Sequence, residues 1–199
     1  MPVKKEREYR ALAAPLSAVA AAKRIDTEYY VEGYATTFNK PYLLYEFEDG
    51  TKYYERVDAH ALDGADMSDV IMQYDHEGRV FARQSNKTLI LVPDHKGLLV
   101  AADLGKTDLA RGLYQDIDAG MITKMSWAFT VLEDSYDRAT HTRTILKIKK
   151  VYDVWERTER ATATSITAWL TEKPLCSMCA VVLQSRQSTG QMQQARPRT

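Results

Sequence analysis

The chain has 199 residues, enough for one domain with a sizeable core, and its 27 Lys and Arg balance 27 Asp and Glu. A formal charge of zero gives no sign of the basic surface that nucleic acid would need, and no apolar run is long enough to span a membrane. Two cysteines fit a reducing compartment, and twelve tyrosines with many Thr and Val favour strands.

Residues 1–26 read as a flexible arm or short helix. The basic start and Ala-rich stretch faintly mimic a secretory signal, but Glu6 and Glu8 interrupt the basic run and Pro15 breaks the stretch. Order is expected from Thr27, with one folded domain over 27–184. "EYYVEGYATTFN" reads as a strand, and "YLLYEFEDGTKYYERV" as a hairpin turning at Asp49-Gly50. A polar connection, "HALDGADMSD", precedes "VIMQYDHEGRVFAR", which reads as strand, turn, strand. "KTLILV" and "GLLVAADL" flank "PDHKG" as a second hairpin.

A helix follows, with Thr107 as N-cap, Leu109, Ala110, Leu113, Tyr114 and Ile117 on one face, and Gly120 at its stop. In "KMSWAFTV" the large apolar residues Met125, Trp127, Phe129 and Val131 alternate with Ser126, Ala128 and Thr130. That predicts a strand with an apolar face and an open face carrying the serine. "TILKIKKVYDVW" returns as a strand, with Ile145, Lys147, Lys149, Val151 and Asp153 in one phase. "ATATSITAWL" reads as helix or strand, and 185–199 as a disordered polar tail. The predicted fold class is mainly β with flanking helices, a closed or nearly closed β-barrel.

A hydrolytic serine needs a base and a group that orients the base. Ser126 is the candidate nucleophile. His76 stands where an apolar strand leaves the core, while His60, His95 and His141 lie in connections. Taken singly, each histidine is more often a structural or surface residue than a catalytic one. Asp153, late in the strand returning from Ser126, is the candidate orienting group, and His141 is its rival. Neither a G-x-S-x-G elbow, a Gly-rich phosphate loop nor H-E-x-x-H is present. The lone pair Cys176 and Cys179 leaves a redox or half-zinc module as a separate possibility, against two ordinary thiols.

"VEGYATTFN", "YDHEGRVFAR", "NKTLILVPDHKGLLVAADL", "ARGLYQDIDAGMITKMSWAFTV" and "RTILKIKKVYDV" occur in a fixed order. Together they resemble the prohead (procapsid) maturation proteases of tailed bacteriophages, over roughly Glu28 to Val154. That family is thought to share its fold with herpesvirus assemblin, a β-barrel serine protease. The resemblance implies that His76 in "YDHEG" is the general base, Ser126 in "KMSWAF" the nucleophile and Asp153 in "VYDVW" the acidic third group. After Asp153 this chain departs from the pattern: Trp155 replaces a serine, charged residues follow, and a Pro-Ala pair is absent. Arg157 or Arg160 could help organise backbone donors for the oxyanion.

The implied activity is a serine endopeptidase that needs no metal or cofactor. It would cleave the scaffolding segment of the major capsid protein, and itself, inside an immature prohead in the host cytoplasm. The implied partners are the capsid protein and further copies of the chain as a homo-oligomer, with no nucleic acid and no membrane. The alternative is a weak or inactive capsid-assembly or scaffolding protein on the same fold.

Overall fold

The computed structural model describes residues 6–15, 18, 22–73 and 78–155. The expectations for His76, Arg157, Arg160, Cys176, Cys179, 161–170 and 185–199 lie outside those residues. Ten strands and one helix are described: β1 (Glu8–Pro15), β2 (Tyr30–Thr37), β3 (Tyr42–Glu46), β4 (Lys52–Val57), β5 (Ile71–Gln73), β6 (Val80–Arg83), β7 (Leu89–Pro93), β8 (Gly97–Asp103), α1 (Asp108–Asp118), β9 (Lys124–Asp137) and β10 (Thr142–Trp155).

The fold is mainly β, but the barrel is open. A seven-stranded sheet runs β1-β9-β10-β4-β3, with β5 and β6 added alongside β10, and a separate three-stranded sheet runs β2-β8-β7. The closed barrel expected from the strand count fails because this path ends on β1 and β3, which do not pair. The larger sheet is a half-barrel. Among the described residues the flanking helices are represented by one, α1.

The predicted hairpins form. Phe47 and Thr51 close the β3–β4 turn, with Gly50 at φ 82° in the left-handed region that favours glycine. Gly97 opens β8 so close to Thr36 that a Cβ there would lie 2.0 Å from the Thr36 carbonyl oxygen. Thr107 caps α1, its hydroxyl accepting from the Ala110 N–H at 3.1 Å. Ala110, Leu113 and Ile117 are buried, whereas Leu109, expected on that face, is half exposed.

Three further expectations change. Glu8–Pro15, expected within a flexible arm, is strand β1, paired antiparallel with β9. The simple alternation in β10 breaks, because its pairing with β9 shifts register at four places between Ile145 and Asp153. Each bulge turns the next side chain over, so Ile145, Ile148, Val151 and Val154 all reach the core, while Asp153, paired with Ala128, is buried on the other face. The open face of β9 is also closed over, since Ser126, Ala128 and Thr130 are buried along with Met125, Trp127, Phe129 and Val131.

The core lies between the inner face of the half-barrel and the small sheet. Trp127, Phe129, Val131 and Ile145 share it with Val31, Ala35, Leu98 and Val100, and α1 contributes Ala110, Leu113 and Ile117.

Candidate active site

The site is set by rows of paired residues across neighbouring strands. Ala11 of β1, Ser126 of β9 and Trp155 of β10 form one row. Tyr9, Ala128, Asp153 and Ile71 form the next, the last from β5. Directly paired residues point to the same face, so Ser126 and Asp153 share one. They are one strand and two residues apart, roughly 8 Å between Cα atoms by ordinary strand spacing. Ser126 is 2% exposed and Asp153 1%.

β5 runs parallel to β10 on the side away from β9, with Ile71 beside Asp153 and Met72 beside Val154. Its last residue, Gln73, is buried and precedes His76 by three positions. Thus Asp153 lies on the strand between the one carrying Ser126 and the one leading to His76.

The structure separates His141 from this place. It sits at the turn of the β9–β10 hairpin, whereas Ser126 pairs with Trp155 at the other end of β10. Fourteen residues of β10 put them roughly 40 Å apart along the strand. There His141 lies 5.0 Å from the Tyr53 ring, with Nδ1 3.1 Å from the Tyr136 hydroxyl. His60 is exposed beside Asp63 at 3.0 Å, and His95 stands in the β7–β8 turn. Neither lies in the paired rows of Ser126 and Asp153.

The opposite face of the same strands carries a buried ion network. Arg10 Nε donates to Glu55 Oε1 at 2.5 Å and its NH2 to Oε2 at 2.9 Å. Arg143 NH1 reaches Glu55 Oε2 at 2.9 Å and Glu8 Oε2 at 2.5 Å, while Arg143 Nε donates to Asp134 at 2.7 Å. The Tyr42 hydroxyl donates to Glu55 as well. Burial alone would raise the Glu55 carboxyl, but Arg10 and Arg143 outweigh it and bring it down to about 2. Burial and the Glu55 charge push the Tyr42 hydroxyl well up. The network joins β1, β3, β4, β9 and β10 on the face opposite Ser126, from Arg10 beside Trp127 to Arg143 beside Tyr136.

Sequence reading missed this network. Its signal was present in β4, where Tyr53, Glu55 and Val57 occupy one alternating phase and all three are buried. An acid in the inward phase of a strand demands a cation opposite it.

The family profile of the caudovirus prohead serine proteases matches residues 17–158, a span holding Ser126, Asp153 and His76. The chain belongs to that family. Membership in the prohead serine proteases gives it a serine-peptidase role in phage prohead maturation. No curated protein and no solved structure matches the chain significantly. Among the described residues, this protease shows no group of three or more His, Cys, Asp and Glu that could hold a metal, and no helix long and apolar enough to cross a membrane.

Proposed function

We propose that the chain is a serine endopeptidase acting inside the prohead, with Ser126 as nucleophile, His76 as general base and Asp153 as the group that orients the base. The observation that carries the reading is the shared, buried face of Ser126 and Asp153, with β5 leading to His76 along the far side of Asp153's strand.

Serine Oγ is a weak nucleophile until a base takes its proton. His76 accepts that proton as Ser126 attacks the peptide carbonyl, then donates it to the departing amine. Asp153 holds the imidazole tautomer and stabilises the imidazolium. Water then releases the acyl group with His76 again as base. Burial of Ser126 and Asp153 strengthens each of these electrostatic contacts.

The substrates are the scaffolding segment of the capsid protein and the protease itself, and copies of the chain associate in the shell. Co-expression with the capsid protein tests the reading. Ser126→Ala stops both capsid-protein cleavage and self-cleavage while the chain stays folded. Cleavage that continues at the parent rate in Ser126→Ala rejects the nucleophile. A parent chain that cleaves neither, yet joins the prohead, is an assembly protein instead.

A further inference from the structure

We infer that the N-terminal strand β1 forms the solvent-facing wall of the Ser126 site, with Ala11 limiting the bulk of the group that can lie beside the serine. The inference rests on the reading of Ser126 as nucleophile and deepens it with a specificity-determining residue.

Ala11 is the direct partner of Ser126 in the β1–β9 ladder, so both side chains stand on one face. Along that face β9 and β10 are covered: Ser126, Ala128, Thr130 and Asp153 are all buried. β1 is not. Ala11 is exposed, and Tyr9, two residues along β1 on the same face, is 38% exposed. A polypeptide has to approach Ser126 from a side that solvent reaches, and β1 supplies such a side.

The size of residue 11 then matters. Side chains of a directly opposed pair start about 4.5–5.5 Å apart at Cβ. A methyl takes up less of the space beside the serine than a branched or longer side chain would. Tyr9, on the same face of β1 beside Ala128, shows how bulky a side chain this strand can carry there.

The ion network holds Ala11 there. A one-residue slip of β1 would turn Glu8 and Arg10 out to the other face and drive Tyr9 inward. A two-residue slip would carry Arg10 about 6–7 Å along the strand, away from Glu55, and set Tyr9 or Ala13 beside Ser126. The contacts of Arg10 to Glu55 and of Glu8 to Arg143 oppose both. β1 also precedes residue 17, where the family match begins, so the wall stands outside the matched span.

The test compares two reagents of one chemistry and different size on the full chain: methanesulfonyl fluoride and dansyl fluoride. Each forms a bond from Ser126 Oγ to sulfur and expels fluoride, while the serine proton passes to the base. Modified Ser126 is followed by mass spectrometry in the parent, Ala11→Val and Ala11→Leu. The expected result is a small-reagent rate within about twofold of the parent and a dansyl rate lowered by about tenfold or more, Leu at least as strongly as Val. Position 11 is exposed, and Val, a strong strand former, keeps the test valid where Leu disturbs pairing. An unchanged ratio of the two rates in both variants overturns the wall. An equal loss with both reagents also overturns it, because residue 11 then acts on the nucleophile and not on access. A parent chain whose Ser126 reacts with neither reagent fails earlier, on the protease reading itself.

Discussion

Glu55→Gln isolates the energetics of the frame behind the site. Glu55 is 0% exposed, and its carboxylate takes hydrogen bonds from Arg10, Arg143 and Tyr42. Its pKa falls from an ordinary 4.5 to about 2 in the fold. A depressed folded pKa gives stability that is present above the unfolded pKa and is lost as pH falls through the folded one. The window is therefore pH 4.5 down to about 2. At about 1.4 kcal/mol per pKa unit the shift amounts to about 3 kcal/mol. Urea unfolding at pH 2, 3, 4, 5 and 6 measures it, with Glu55→Gln as an amide that cannot titrate. The parent's advantage over Glu55→Gln is expected to grow from near zero at the lowest pH to about 3 kcal/mol at pH 5, then to stay level. A difference between the two proteins that does not change with pH across this window refutes the reasoning, because Glu55 would then bind its proton equally well folded and unfolded.

Asp153→Asn keeps the side-chain volume but removes the charge that, on the proposed mechanism, orients the base. Steady-state cleavage of the capsid protein is expected to show kcat lowered by about 10³- to 10⁴-fold with KM little changed; a loss confined to KM points to a binding role instead. His141→Ala is expected to leave the Ser126 sulfonylation rate at the parent value and to lower thermal stability by about 1 kcal/mol through the lost packing on Tyr53. A slowed Ser126 in that variant contradicts the hairpin register.

Local patterns survived the passage from sequence to structure where one short-range force decided them. The β3–β4 hairpin follows from Asp49-Gly50, and α1 from the Thr107 cap and its apolar face. The phase of β10 did not survive, because bulges are set by the pairing of β10 with β9 and leave no mark in the alternation of Ile, Lys and Val. β1 was illegible for another reason. Ala-rich, with a proline at its end, it has no strand pattern of its own and is fixed by β9 and by Glu55, 45 residues away. Ser126 was located correctly on its strand, but the cover over its face comes from tertiary contacts. His141, a rival in sequence, stands at the hairpin turn, at the end of β10 away from the residue paired with Ser126.

The same pairing constrains where the oxyanion is held. Ser126, Trp127 and Ala128 have ladder partners on both sides, in β1 and in β10. Along an antiparallel strand successive N–H groups point alternately to the two neighbours, so each of these three is directed at a ladder and not at the face bearing Oγ. A tetrahedral intermediate on Ser126 develops its negative oxygen above that face, where it needs donors about 2.7–3.1 Å away. Freeing one from β9 would break a ladder bond beside the nucleophile. On the proposed mechanism the donors therefore come from another segment, and the nucleophile strand serves as a rigid base. Amide nitrogen and proton shifts, compared before and after Ser126 is sulfonylated, check this: residues 127 and 128 are expected to move little, with the largest downfield proton shifts outside β9. A large downfield shift at the Trp127 amide would place the donor in β9 and show that the ladder opens during the reaction.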